Sequence, residues 1–208
     1  GSFNLNSTSI QTPIFTPSIV GSSEIIYSVT DANGCSNSDT VSIIVNDLPN
    51  VIINSAGPFC INGTAVPMTA NNMGGTFSGP GINLSNFDPS SVNAGTHTIS
   101  YLYTDLNGCS NTDTENIIVN SLPNATINPI GPFCVGDASV ILTAVIPGGI
   151  FSGIGISSGS FNPSIGIGTF NVYYNITDAN LCSNNDSIQV YISSSYDATI
   201  ALVNPFCS

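Results

Sequence analysis

The stretch TDANGCSN, Thr30–Asn37, decides the fold of this chain. It returns as TDLNGCSN at Thr104–Asn111 and as TDANLCSN at Thr177–Asn184. Each copy lies between two runs in which apolar and polar residues alternate, a pattern typical of a strand with one buried face. Asn-Gly between two such runs predicts a β-hairpin with a type I′ turn, because both residues accept a positive φ. Leu181 takes the place of glycine in the third copy, which weakens the turn prediction there.

The three copies follow each other at intervals of 74 and 73 residues, so the chain is built from a repeat of about that length. Leu-Pro-Asn, at Leu48–Asn50 and Leu122–Asn124, marks the joints. We predict four parts: a partial domain at 1–49 whose first strands are missing, complete domains at 50–123 and 124–195, and the start of a further domain at 196–208. We interpret the chain as a mature fragment or a window from something longer, since no signal peptide precedes the first repeat.

Each repeat contains about seven short apolar runs separated by turn residues, with no helical period. This pattern predicts an all-β fold of tandem immunoglobulin-like β-sandwich domains, about 74 residues each, in a linear array. The alternating run before each hairpin should place one set of side chains in the core. The sets, one per repeat, are Ser23, Ile25, Tyr27 and Val29; His97, Ile99, Tyr101 and Tyr103; and Phe170, Val172, Tyr174 and Ile176.

Composition excludes several classes of function. The chain has no Lys or Arg, 12 acidic residues and a formal net charge of −12. Direct binding to nucleic acid or to an anionic membrane surface needs Lys or Arg, so neither partner is expected. No apolar run reaches the roughly 20 residues of a membrane span, so no direct membrane insertion is expected either. With no lysine and one unrepeated histidine, His97, which we interpret as a core-edge residue, we predict that the protein is not an enzyme.

The six cysteines alternate between two contexts. Three lie in the hairpins (Cys35, Cys109 and Cys182) and three end a Pro-Phe-Cys tripeptide (Cys60, Cys134 and Cys207). One of each kind per repeat predicts one disulfide per domain, and hence an oxidising, extracellular setting. The alternative is that all six are free buried thiols.

We predict the disulfides Cys60–Cys109 and Cys134–Cys182, because the first strand of such a sandwich should start at the same end as the last hairpin. The rival pairing of Cys35 with Cys60 and of Cys109 with Cys134 would have to bridge about 30 Å. Cys35 and Cys207 are then left to pair with sequence outside this chain. Alternatively, they pair with each other between two copies, which would make the protein a filament subunit that polymerises by strand exchange.

The motifs GPFC, GGTFSGPGI, NFDPSS and TDLNGCSN of residues 57–111 resemble the tandem immunoglobulin-like or PKD-like repeats of very large cell-surface proteins of Bacteroidota, including gliding-motility adhesins exported by type IX secretion. The resemblance implies a long, surface-anchored, disulfide-stapled fibre that acts as a spacer and bears force. Its partners would be neighbouring repeats of the same chain or other copies in a filament. It supplies no catalytic residue. A carbohydrate- or surface-binding module and an accessory module of a secreted enzyme are the alternatives.

Oxygen-bearing side chains at alternate positions of each hairpin make weak calcium candidates. They are Asp31, Asn33 and Asp39; Asp105, Asn107 and Asp113; and Asp178, Asn180 and Asp186. The competing interpretation, which we favour, is that these residues bond their own backbone and stabilise the turn. We therefore predict no cofactor, with calcium as the alternative.

A second family-linked feature is Asp followed by Ser or Thr and an aliphatic residue, which resembles the O-glycosylation motif of Bacteroidota. Asp39-Thr40-Val41 and Asp186-Ser187-Ile188 fit it, so Thr40 and Ser187 are candidate glycosylation sites. The alternative is an ordinary strand with no modification.

Overall fold

A computed structural model describes residues 4–5, 12 and 14–194 of the chain. The further domain predicted to start at 196–208, with Cys207, lies outside these residues. The described residues form strands and two short 3₁₀ turns, Pro89–Ser91 and Pro163–Ile165, and no α-helix. The strands in chain order are β1 Asn4–Leu5, β2 Phe15–Thr16, β3 Gly21–Thr30, β4 Ser36–Val45, β5 Phe59–Cys60, β6 Val66–Pro67, β7 Thr76–Ser78, β8 Ile82–Asn83, β9 Asn86–Phe87, β10 Gly95–Thr104, β11 Ser110–Asn120, β12 Phe133–Cys134, β13 Val140–Ile141, β14 Ile150–Ser152, β15 Ile156–Ser157, β16 Ser160–Phe161, β17 Gly168–Thr177 and β18 Ser183–Ser193.

The third repeat shows the architecture most completely. One sheet has the order β12-β18-β17-β14 and the other has the order β13-β16-β15. An isolated antiparallel bridge between Ile127 and Ala144 marks the predicted first strand. Between the two sheets lies one apolar core, made of Ala125, Ile127, Leu142, Phe161, Val172, Tyr174, Ile176, Val190 and Ile192. The predicted all-β class with immunoglobulin-like sandwich sheets is confirmed.

By the density of its internal contacts the chain divides into two compact units. The first comprises Gly1–Ala56, Val66–Phe87 and Thr98–Asn116; the second comprises Gly57–Ala65, Asp88–His97 and Ile117–Ser208. Within the first unit β3 pairs with β4, β6-β9-β8 form a sheet, and β7 pairs with β10 at Ser78↔Ser100. Within the second unit β5 lies parallel to the last residues of β11, with Cys60 opposite Asn120. The predicted domain boundaries at 49/50 and 123/124 stay a prediction.

The hairpin turn differs from the predicted type I′. In the first copy the Gly34 amide donates to the Asp31 carbonyl at 3.1 Å, which makes Ala32 and Asn33 the central residues of the turn. The positive φ falls on Gly34 alone, at 86°. One left-handed residue therefore closes the loop, where a type I′ turn would require two. Leu181 occupies this position in the third copy with a φ of 64°, so leucine adopts the conformation that glycine adopts elsewhere.

The alternating strand orients its side chains as predicted in two of the three repeats. Val172, Tyr174 and Ile176 are buried in the third repeat, and Ile99 and Tyr101 are buried in the second. The predicted core residues at the strand ends, Phe170, His97 and Tyr103, are half-buried.

The core prediction is wrong for the first repeat. Ser23 and Ile25 are half-buried, but Tyr27 is 52% exposed and Val29 is 49% exposed. In the third repeat the same face is covered by the segment around Ala125 and Ile127, and the part of the first repeat that the structure describes contains no counterpart of that segment.

A buried tyrosine fixes the turn between the second and third strands of each complete repeat. The Tyr174 hydroxyl donates to the Ile146 carbonyl at 2.7 Å and accepts from the Gly149 amide at 2.7 Å. Tyr101 makes the same pair of bonds with Asn72 and Gly75. A Cβ added to Gly149 would lie 2.5 Å from the Tyr174 ring, so only glycine fits there. Gly149 is thus part of a strand turn.

Candidate functional site

A disulfide between Cys60 and Cys182 is the chemically distinctive feature of the molecule. Its S–S distance is 2.01 Å and its Cα–Cα distance is 5.5 Å, within the normal range for a disulfide. The two cysteines are 122 residues apart and belong to different sequence repeats, the second and the third. Both lie in the second compact unit. The Cys182 side chain is fully buried, so the bond is shielded from solvent on that side.

Both predicted disulfides, Cys60–Cys109 and Cys134–Cys182, are therefore wrong, and the third repeat shows why. The chain segment at Ile127 forms an isolated bridge with Ala144, and the following Phe133–Cys134 strand lies parallel to β18. Cys134 is opposite Ser193, at the far end of β18 from the hairpin that holds Cys182. Ten residues of strand, about 33 Å, separate the two ends.

The parallel Phe-Cys strand thus carries its cysteine away from the hairpin of its own repeat. It carries the cysteine toward the joint with the repeat that follows. Cys35, Cys109 and Cys134 form no disulfide in the structure; Cys109 is half-buried and the other two are exposed. A cis Gly-Pro peptide precedes the Phe-Cys strand in both complete repeats, at Gly57-Pro58 and Gly131-Pro132.

Polar side chains tie the second and third hairpins to the Leu-Pro-Asn joints that precede their repeats. The Asn184 side-chain amide donates to the Pro123 carbonyl at 2.9 Å, and that of Asn111 donates to the Pro49 carbonyl at 2.9 Å. Because Asn184 comes two residues after Cys182, this bond holds the hairpin beside the joint. The disulfide therefore lies at the junction of two sequence repeats.

The first aspartate of each hairpin, a calcium candidate, is used as a turn anchor. Asp178 Oδ1 accepts from the amides of Asn180 and Cys182, both at 2.9 Å. Asp31 and Asp105 accept from the equivalent pairs of amides at the same distances. The backbone of Asn33, Asn107 and Asn180 serves these turns.

The last aspartate of the second and third sets binds a backbone amide outside its own hairpin. Asp186 Oδ2 accepts from the Ile127 amide at 2.9 Å, and Asp113 Oδ2 accepts from the Ile53 amide at 2.8 Å. Each carboxylate thereby holds the opening segment of its repeat against the last strand. Asp39, the counterpart in the first repeat, bonds the amide of Thr40 next to it. Among the described residues no group of three or more His, Cys, Asp or Glu is placed to hold a metal ion.

We expect a chelator to leave the thermal unfolding midpoint of the purified protein unchanged. The Asp oxygens named above already accept backbone amides, and a calcium ion would have to compete with those bonds. A site filled at a hundred times its dissociation constant would contribute about 2.7 kcal/mol, so its loss would be easy to detect. The measurement is a melt followed by circular dichroism, with and without EDTA, and magnesium added back as the control. A midpoint that falls with EDTA and returns with calcium alone would contradict the prediction.

The remaining candidate residues are His97, Thr40 and Ser187. His97 is half-buried, and its Nε2 lies 2.8 Å from the Asn93 carbonyl oxygen, within the second unit. The candidate glycosylation residues, Thr40 on β4 and Ser187 on β18, are both exposed. In the part of the chain that the structure covers, no helix has the length and hydropathy of a membrane-crossing segment.

Each compact unit has an apolar cavity beside its buried tyrosine. One, of about 310 Å³, is lined by residues that include Met68, Phe77 and Tyr101. The other, of about 280 Å³, is lined by residues that include Leu142 and Tyr174. The two tyrosine hydroxyls are already bonded to backbone groups on both sides. These hydroxyls are not free to recognise a sugar or another polar ligand.

No protein-family model and no curated protein matches the sequence. Among solved structures the chain is similar to a Ca²⁺-stabilised adhesin that helps an Antarctic bacterium bind ice, with 14% identity and a TM-score of 0.42, over 86% of this chain and 58% of that one. It is also similar to protocadherin gammaB7 domains EC3-6, with 14% identity and a TM-score of 0.30, over 93% of this chain and 65% of that one. The chain thus spans less than two thirds of the length of either. Likenesses at this level do not assign a family.

Proposed function

We propose that this chain is a stalk or filament segment of a long extracellular bacterial surface adhesin. Its immunoglobulin-like repeats would form a linear array that acts as a spacer and transmits force. The observation that carries the proposal is the Cys60–Cys182 disulfide, which joins two successive sequence repeats covalently. A protein whose task is to bear tension gains from such a bond, because a covalent link does not yield at forces that separate strands.

The path of tension through the chain supports the same role. When the two ends are pulled apart, the load enters at Cys60, crosses the disulfide and leaves at Cys182. The residues between them, 122 positions along the chain, carry no end-to-end tension while the bond is intact. Seven of the nine buried core residues of the third repeat lie inside this protected stretch, and the other two, Val190 and Ile192 on β18, follow Cys182.

Composition and the sequence resemblance supply the rest of the proposal. Disulfides persist in oxidising compartments, which favours an extracellular location on the cell surface. The resemblance to gliding-motility repeats favours a Bacteroidota protein exported by type IX secretion, with Thr40 and Ser187 as glycan carriers. Neighbouring repeats or other copies of the chain would be the partners. The role is structural and requires neither catalysis nor a cofactor.

Single-molecule pulling tests the force-bearing role. We expect the oxidised protein, held at its two ends, to extend by about 400 Å less than the reduced protein, since the chain between the two cysteines, which are 122 positions apart, stays closed. The Cys60→Ser variant should extend fully without reductant, and the Cys134→Ser variant should behave as the parent does. Equal extension of oxidised and reduced protein would contradict a force-bearing disulfide.

A further inference from the structure

The Cys60–Cys182 disulfide joins the Phe-Cys cysteine of one repeat to the hairpin cysteine of the next. Among the described residues, the first joint of the chain has no equivalent bond. At the second joint, Cys60 lies opposite Asn120, at the end of the last strand of its repeat. The Pro123 carbonyl follows three positions later and binds the Asn184 side chain of the next hairpin. The Phe-Cys cysteine of one repeat therefore meets the hairpin cysteine of the next.

Among the described residues, the first joint has the same hairpin contact as the second joint but no Phe-Cys strand. The Asn111 side chain binds the Pro49 carbonyl at 2.9 Å, so the hairpin that holds Cys109 lies beside this joint. β4 ends at Val45, the sequence counterpart of Val119, against which a Phe-Cys strand lies at the second joint. Within the described ranges β3 is the only strand paired with β4, and Cys109 forms no disulfide. Among the residues that the structure describes, this edge of β4 has no partner strand, and it lies in the first compact unit together with the Cys109 thiol.

The face of the β3–β4 hairpin that carries Tyr27 is also more exposed than the matching face in the other two repeats. Tyr27 is 52% exposed, whereas its counterparts Tyr101 and Tyr174 are 3% and 1% exposed. A shallow cavity of about 100 Å³ opens there, lined by Tyr27, Val29, Asn37, Ser38 and Asp39. In the third repeat the corresponding carboxylate, Asp186, receives the Ile127 amide. Asp39 is therefore positioned to accept the amide of an incoming strand.

The segment that fills these positions in a complete repeat has a recognisable sequence. It reads Ala125-Thr126-Ile127 followed by Pro132-Phe133-Cys134, with nine positions from Ala125 to Cys134. The chain contains one more segment with this pattern and spacing, Ala198-Thr199-Ile200 followed by Pro205-Phe206-Cys207. This second segment lies outside the described residues. Ile200 corresponds to Ile127, whose amide binds the aspartate.

We propose that the β3–β4 hairpin binds the opening segment of another copy of this repeat, the segment that reads Ala198–Cys207 here, and that the incoming cysteine forms a disulfide with Cys109. The Cys109 and Cys207 thiols each lose a proton and together give two electrons to a small disulfide oxidant, which is reduced to two thiols. The same rule excludes the strand-exchange alternative in which Cys207 joins Cys35, because Cys35 belongs to the hairpin of the preceding joint. The inference goes beyond the stalk proposal, since it names the partner segment and the atom that it reaches.

A peptide of residues 196–208 is the probe, and the full chain with Cys207→Ser is the protein, so that its own thiol does not compete. The two are mixed in a glutathione redox buffer and the adduct is mapped by mass spectrometry. We expect the peptide on Cys109 at least ten times more often than on Cys35 or Cys134. An adduct on Cys35, an even distribution over the three cysteines, or no adduct would overturn the proposal.

Non-covalent binding is measured separately, with a fluorescent peptide in which Cys207 is replaced by serine. Asp39→Ala should weaken its binding about tenfold. Glu24→Ala removes the same charge from the opposite face of β3, where the residue is exposed, and should leave binding unchanged. Equal effects of the two variants, or no saturable binding by the parent protein, would overturn the docking site. Neither result bears on the pulling experiment, which depends on Cys60 and Cys182, so failure of this inference and failure of the stalk proposal are distinguishable.

Discussion

Cys60→Ser should lower the free energy of unfolding by about 5 kcal/mol, as the chain-entropy relation gives for a loop closed over a separation of 122 residues. Two features favour the full effect. The Cα–Cα distance of 5.5 Å is near the middle of the range for disulfides, and the Cys182 side chain is fully buried. Breaking the bond also leaves a buried thiol where the packing was built around a disulfide. The measurement is guanidinium unfolding without reductant.

Two further variants separate loss of the disulfide from loss of a side chain. Cys182→Ser, alone or combined with Cys60→Ser, should cost about as much as the single change, because the same bond is lost each time. Cys134→Ser removes an exposed cysteine that forms no disulfide and should shift the stability by less than about 0.5 kcal/mol. Additive losses in the double variant would show that the two cysteines act independently.

Phe161→Ala should destabilise the protein by about 3–5 kcal/mol, the usual cost of emptying an aromatic site in a core. Phe161 is completely buried at the centre of the sheet β13-β16-β15. Its ring centroid lies 5.8 Å from that of Phe133, the residue just before Cys134. The substitution therefore loosens both the core and the strand that carries a cysteine to the end of the repeat. Thermal and chemical unfolding both report the loss.

Ile154→Ala is the matched control for Phe161→Ala. Ile154 belongs to the same repeat but is 70% exposed, so its truncation should change stability by less than about 0.5 kcal/mol. Phe87, which is also completely buried, is the counterpart of Phe161 in the second repeat, and Phe87→Ala should reproduce the large effect. A loss below 1 kcal/mol for both phenylalanines would contradict the core assignment.

Local pattern was enough to predict the strands and their orientation. The alternation that ends at Ile176 placed Val172 and Tyr174 in the core because side-chain direction along a strand depends only on parity. The hairpin was predictable for the same reason, although the turn needs one left-handed residue, at Gly34, and not two. The core prediction failed at Tyr27 because burial also depends on what covers a face, and parity does not contain that information.

The disulfide pairing could not be predicted from the same signals. It depends on the two-residue strand Phe133–Cys134 and its counterpart at Cys60, which are too short to show any periodicity. Their parallel pairing with the last strand reverses the end at which the cysteine lies. The positions of Cys60 beside Asn120 and of Cys134 beside Ser193 show that both Phe-Cys cysteines lie at the opposite end from the one predicted. The aspartate that binds the Ile127 amide recurs at the same position of each hairpin in the sequence, but no sequence pattern indicates the amide that it binds.

The closed covalent ring between Cys60 and Cys182 also determines what a protease can achieve. If one peptide bond breaks anywhere between Cys60 and Cys182, the two fragments remain joined by the disulfide, and the molecule stays continuous from end to end. Separating the two ends of the molecule requires reduction of the disulfide in addition to that cut, or a cut outside the ring. Under the pairing rule proposed here, successive rings overlap, since the ring that begins at Cys134 opens before the one that ends at Cys182 has closed. A fibre made of such overlapping rings would stay continuous after single cuts at scattered positions.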